Sequence, residues 1–429
     1  MKILLINTSD NTGGAAVAAM RLMDALTRSG ASVKMLVRDK GTADARVVKV
    51  RGPWWKRALD AITPGGSWCK AVERVMLLPH SGWSWRRSWT IDGGILGTDV
   101  TRMEEFREAD VIHLHWVNQG MLSLSDLRRI FRSGKRIVWT MHDLWPASSI
   151  YHYSTADAAD DEDRATAYAR RIWKKKFALY HPRSTHRYPL ANNHLTFVAC
   201  SEWLARQARG RKLMAGQDIV SIPNPIDTLL YNRGDRKAAR AALSLPTGKK
   251  IVLFVSQRVT DERKGARYFI EAINALRRSD ICVAILGSGG DEVAGMLQCE
   301  TKVLGYLTDQ SQIVQAYNAA DVFVLPSLND NLPNTIMEAM ACGVPSVAFS
   351  IGGIPEMISH EENGYLAAPR DAEALAEGIS YCLDDDNRQR LSDACLSKVA
   401  TTYSQQAVAE RFMSIYAMAA KSASNEDCS

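Results

Sequence analysis

The eight cysteines of this 429-residue sequence form no C-x-x-C pair and no His/Cys cluster at zinc-ligand spacing. That excludes a zinc ribbon and a dithiol redox centre. Cys200 and Cys282 lie inside apolar runs, as expected of buried thiols in a reducing compartment. No stretch of about 18 apolar residues occurs, so no membrane-spanning helix is expected. The opening MKILLINTSD has one lysine and a short apolar run, too little for a secretory signal core. The expected location is cytoplasmic, free or attached to the inner face of a membrane. Short repeats, coiled-coil heptads and low-complexity tracts are also missing.

What is there is ample apolar material, 46% of residues, and a modest net charge of +6. The charge is concentrated. Residues 51–90 hold seven Lys/Arg (Arg51, Lys56, Arg57, Lys70, Arg74, Arg86, Arg87) against Asp60 and Glu73, a net +5, with six of the eleven tryptophans. The remainder is nearly neutral, which argues against a nucleic-acid binder. Two readings of this segment stay open. It is a surface that meets anionic lipid, or a helical cap whose tryptophans pack inward.

Apolar runs alternate with helical periodicity along most of the chain. Strands are expected at residues 2–7, 32–37, 111–116, 136–140 and 195–199, and again at 251–255, 282–286, 302–304, 322–325 and 346–349. Helices fall between them, which implies parallel sheets with helical crossovers. Residues 147–190, with an acidic run at 157–163 and a basic patch at 170–176, read as a helical excursion. Ser221-Ile222-Pro223-Asn224-Pro225 and the charged stretch to Arg240 read as a linker. The fold expected is α/β, two doubly wound Rossmann-like halves: residues 1–222, with a terminal helix at 405–420, and residues 223–404.

In open α/β sheets, ligands bind beyond the carboxyl ends of strands, and three such places stand out. Gly13-Gly14 separates the first strand from a helix; it is either a phosphate-admitting loop or only a tight turn. Arg258, Arg263 and Lys264 sit between a strand end and a helix start, where cations meet a diphosphate; a solvated charge run is the alternative. The third place carries most. A strand ends in Pro326-Ser327-Leu328-Asn329-Asp330-Asn331-Leu332-Pro333-Asn334, and a helix with Glu338 on its second turn follows. After Gly343-Val344-Pro345 and another strand comes Gly352-Gly353-Ile354-Pro355-Glu356. Two acids and two helix starts are expected to face one site. His113 and His115 lie two apart on a strand, as metal ligands might, but no third ligand or D-x-D-like loop accompanies them. No metal or other cofactor is expected. Cys342 is read as a packing residue.

The pattern P-S-x-x-acid-x-x-P-x-x-x-x-E-A-M-A-C-G-x-P-x-V, followed by G-G-x-P-E, resembles the signature of the glycosyltransferase group 1 family (family 4), which adopts the GT-B fold of two Rossmann-like domains facing across a cleft. His113-Leu114-His115-Trp116 and the run Trp139–Pro146 are similar, more narrowly, to enzymes of bacterial exopolysaccharide assembly, including the colanic-acid type. The resemblance implies transfer of a sugar, with retention, from a nucleoside-diphosphate-sugar to the hydroxyl of a saccharide or lipid-linked saccharide. It implies that Arg258 and Lys264 neutralise the diphosphate and that Glu338 binds the ribose. Asp330 would meet the donor sugar, and the segment Asn331, Leu332, Asn334 and Thr335 would contact phosphate or sugar. Gly13 and Gly14 would admit the diphosphate, and His142 would touch the reacting sugar or acceptor. Two departures stand in the sequence. Asp330 replaces the usual glutamate, and the Arg258–Lys264 spacing is one residue longer than common. A nucleotide-sugar epimerase of this fold and a non-catalytic nucleotide-sugar-binding subunit are the alternatives; transfer to an added acceptor separates them.

Overall fold

The computed structural model describes residues 1–63, 67–152, 166–181 and 195–426, with side chains to residue 417. The acidic run at 157–163 and residues 182–190 of the polar excursion lie outside the described residues. The chain divides into two compact units, residues 1–222 with 409–429, and residues 223–408.

The first unit is built on a parallel sheet of β1 (Lys2–Ser9), β2 (Ser32–Asp39), β3 (Val47–Lys49), β4 (Val111–Leu114), β5 (Arg136–Met141), β6 (Leu195–Ala199) and β7 (Asp218–Ser221), in the order β3-β2-β1-β4-β5-β6-β7. The central strands are buried almost throughout, which is why they read as continuous apolar runs instead of alternating ones. β3 and β7 were not visible in the sequence: they are edge strands of three and four residues with few apolar positions. Residues 405–426 form one helix, longer than the stretch expected. Ser404 caps it, accepting from the Ala407 amide. Within the first unit this helix lays Phe412 and Tyr416 against His113, and the Tyr416 hydroxyl is 2.7 Å from His113 Nδ1.

The second unit holds β8 (Lys250–Arg258), β9 (Ile281–Ser288), β10 (Glu300–Gly305), β11 (Val322–Leu325), β12 (Ser346–Phe349) and β13 (Gly364–Ala367), parallel and ordered β10-β9-β8-β11-β12-β13. The stretch 221–240 is not a plain linker. Asp235 accepts from the amides of Lys237 and Ala238 and starts a helix at Arg236–Ala242. That helix is pinned by Arg240, which reaches Asp321 at 2.6 Å. Each sheet thus winds outward from a first strand in both directions. The winding reverses between β1 and β4 in one unit and between β8 and β11 in the other, and such reversals open a crevice at the carboxyl ends.

Candidate active site

In the second unit three loops converge on the reversal point. β8 ends at Arg258; Asp261 then caps a short turn, Glu262–Lys264. Gly265 follows with φ +69°, and a Cβ there would lie 1.9 Å from the Pro326 carbonyl oxygen. Only glycine satisfies both the left-handed backbone and that approach. The loop is sewn to the one after β11 by the Leu328 amide, which donates to the Arg263 carbonyl at 2.7 Å. Gly352 (φ +57°) repeats the device: its Cβ would lie 1.9 Å from the Asp330 carbonyl oxygen, and the Gly353 amide donates to Asn331 at 2.9 Å.

This stitching brings Lys264 Nζ to 2.7 Å from Asp330 Oδ2, across 66 residues of sequence. Both side chains remain partly exposed. The shorter acid at 330 therefore still reaches the lysine. Arg258 does not join them: its exposed guanidinium makes a 3.3 Å contact with Thr260 Oγ1. Glu338, in the helix Asn334–Ala341, is buried and accepts from the Tyr317 hydroxyl at 2.9 Å. The two acids thus answer to different partners. Asn331 and Thr335 are half-buried, Leu332 is buried, and Asn334 Oδ1 accepts from Asn224 Nδ2 at 3.3 Å. The helix expected after Gly353 is a single turn, Ile354–Met357. Cys342 is buried, and burial, with Glu338 nearby, pushes its thiol up, away from a reactive thiolate.

The first unit has its own carboxyl-end cluster. Gly13 (φ +87°) caps the helix Gly14–Arg28, and a Cβ there would meet nothing within 4 Å. Backbone angle, not crowding, is what asks for glycine. Both glycines are exposed at the mouth of this turn. Thr8, near the end of β1, ties that strand to the loop after β4, its one hydroxyl proton shared between the carbonyls of Trp116 and Asn118 at 2.9 and 3.0 Å. Next to it His115 Nδ1 lies 3.0 Å from His142 Nε2. Burial holds both imidazoles neutral, His142 at about 4, and the neighbouring histidines lower His115 further. His113 is engaged on both nitrogens, by Thr140 and Tyr416, so the two strand histidines are not a metal-ligand pair. Asp143 accepts from Trp116 Nε1 (2.9 Å), His152 Nδ1 (2.7 Å) and the Trp145 amide (2.9 Å). Burial raises its carboxyl, but His152 and these donors outweigh burial and leave it below the usual range. Sequence reasoning assigned no role to Tyr317, Thr8, Asn118 or Asp143; the partners of the first three lie 21 to 110 residues along the chain, beyond the reach of a local pattern.

Residues 12–229 match the Glycosyltransferase Family 4 model, and residues 249–385 match Glycosyl transferases group 1. The chain belongs to this family. It is a glycosyltransferase. It is 27% identical over 349 residues to the D-inositol 3-phosphate glycosyltransferase of Corynebacterium glutamicum, covering 76% of this chain and 75% of the relative. Among solved structures it resembles sucrose-phosphate synthase from Thermosynechococcus elongatus, with a TM-score of 0.66 at 19% identity, covering 98% of this chain and 99% of that one. It also resembles Anabaena HepE in complex with UDP, with a TM-score of 0.60 at 18% identity, covering 99% and 100%. At these identities the structures speak for the fold, the GT-B fold with its two Rossmann-like domains.

Proposed function

We propose that this glycosyltransferase moves a sugar from a nucleoside-diphosphate donor to an acceptor hydroxyl with retention, binding donor on the second unit and acceptor on the first. The observation that carries this reading is the Lys264–Asp330 pair at the reversal of the second sheet, beside the start of the helix Asn334–Ala341. In the reaction the bond from the anomeric carbon to the diphosphate breaks and one to the acceptor oxygen forms. Negative charge develops on the departing diphosphate, whose oxygen takes up the proton that the acceptor hydroxyl gives up. Lys264 and the amides around Asn331–Thr335 stabilise that charge without a metal, and the exposed Arg258 supplies a second cation from outside the Lys264–Asp330 pair. Pro333 has no amide to offer. Asp330 then has hydroxyls of the donor sugar as partners, and Glu338 those of the ribose. His142, neutral and steadied by His115, faces the reacting sugar or the acceptor. We place the reaction in the cytoplasm, in cell-surface polysaccharide assembly, with a saccharide or lipid-linked saccharide as acceptor.

A thermal-shift screen of UDP-, GDP-, ADP- and dTDP-sugars tests the donor class, with UDP-sugars tried first because HepE was solved with UDP. A ligand at 100 times its Kd stabilises the folded protein by about 2.7 kcal/mol. One base should stand out. If none raises the melting temperature, the donor assignment is wrong. Glu338→Ala is expected to weaken nucleotide and nucleotide-sugar alike, by roughly tenfold, through a lost charge-assisted hydrogen bond. Calorimetric titration checks it, with Tyr317→Phe separating the loss of the ribose contact from the loss of internal support. An effect confined to the sugar-bearing ligand would exchange the roles of the two acids.

A further inference from the structure

The helix Trp54–Ile62 is amphipathic in the wrong sense for a soluble surface. Trp54, Trp55, Ala58, Ala61 and Ile62 recur at helical spacing on one face, and all five are exposed, Trp54 by 75% and Ile62 by 78%. On the opposite face Lys56 is buried, donating to the carbonyl of Gly97 at 2.8 Å and to the Thr98 hydroxyl. The apolar stripe faces outward and the lysine inward. Farther along, Trp83 is 75% exposed on a left-handed backbone (φ 59°), and Trp85 is exposed beside it. Trp89 is held differently, between the cations of Lys70 and Arg74, each 5.2 Å from its ring.

The charges sort the same way. Arg51, Arg57, Arg86 and Arg87 are exposed. The acids are not on offer. Asp60 accepts from the Trp68 amide at 2.8 Å, Glu73 is buried, and buried Asp92 is paired with Arg74 at 3.1 Å. What faces outward is therefore tryptophan, small apolar residues and arginine, with no opposing carboxylate from this segment. Tryptophan is apolar with one N–H and suits the lipid–water boundary, while arginine meets anionic headgroups. Among the described residues no helix is long and apolar enough to cross a bilayer, which leaves contact from one side.

We propose that this face docks the first unit on an anionic membrane surface, with the helix Trp54–Ile62 lying in the headgroup boundary, its tryptophan stripe down. The occupant is a bilayer because exposed aromatic and cationic groups are interleaved over several elements, while the one acid of the helix, Asp60, is half-buried and held by the Trp68 amide. Lys56 and Arg74 are internal braces and take no part. The proposal holds whichever sugar is transferred.

Flotation of the full chain with vesicles of phosphatidylcholine, with and without 30% phosphatidylglycerol, is the test. Binding is expected to the anionic vesicles and to weaken as salt rises. Arg57→Gln/Arg86→Gln/Arg87→Gln should lower partitioning by about tenfold or more at low salt, since each basic residue contributes severalfold. Trp54→Ser/Trp55→Ser should remove the part of binding that survives high salt. Both variants should keep the wild-type melting temperature, because the replaced side chains stand in water. Failure of the wild-type chain to float with anionic vesicles at low salt overturns the proposal. So does undiminished binding by both variants, or a concentration-dependent self-association through this face that leaves the vesicles bare.

Discussion

Lys264→Ala is expected to lower donor affinity and turnover by roughly tenfold to a hundredfold, from the loss of a charge-assisted partner of about 1.5–3 kcal/mol. The magnitude follows from where the lysine stands. Its ammonium is only partly exposed and lies 2.7 Å from Asp330. Alanine at 264 therefore removes a cation and leaves a carboxylate without its counter-charge in the site proposed for the diphosphate. Asp330→Asn should act in the opposite sense on the plain nucleotide. It frees Lys264, so nucleoside-diphosphate affinity should hold or rise, while discrimination among sugars on one nucleotide should fall. Titration of both variants with nucleoside diphosphate and nucleotide-sugar separates these effects. Wild-type affinity and rate for Lys264→Ala would remove the lysine from the site.

The coupling of these two residues shows what was legible in the sequence and what was not. Strands buried on both faces, such as Ile251–Val255 and Val322–Leu325, declare themselves as apolar runs, and the loops beyond them are then found by position. The motif around Asp330 and Glu338 was readable because its residues are consecutive on one loop and helix. The partners were not. Lys264 meets Asp330 only because Gly265 and Gly352 let three loops close on one another, and Tyr317 reaches Glu338 from a helix with no distinctive pattern. Composition betrayed the unusual character of residues 51–90. It did not say which cations face water, because Lys56 and Arg74 are turned inward by carbonyls and an acid contributed from residues 88–98.

That inward-turned chemistry sets the expected pH dependence of stability, which should peak near pH 7. Burial holds three histidines neutral in the fold: His113 at about 3, His142 at about 4, and His115 well below its ordinary value. In the unfolded chain they take up protons below about 6.5. The unfolded state then binds more protons than the native one, so stability falls as pH drops from 6.5, by about 1.4 kcal/mol per pH unit for each group. Glu73 works the other way. Burial first, and then the Asp92 carboxylate, push it up to about 8, so it is protonated in the fold and ionised in the unfolded chain above about 4.5. Its contribution is complete at low pH and lost as pH rises toward 8. Between pH 5 and 6.5 three histidines outweigh one glutamate, so stability falls on acidification. Above about pH 7 the histidines have shed their protons in both states and the Glu73 loss prevails, so stability falls on alkalinisation toward 8. Glu73→Gln supplies a neutral side chain of the same shape, so its melting temperature should fall less than the wild type's from pH 7 to 8, and its acid limb should steepen. Melts of both proteins at pH 5.5, 7 and 8 decide it: an alkaline decline that persists unchanged in Glu73→Gln means that Glu73 is already ionised in the fold, with Arg74 as its counter-charge.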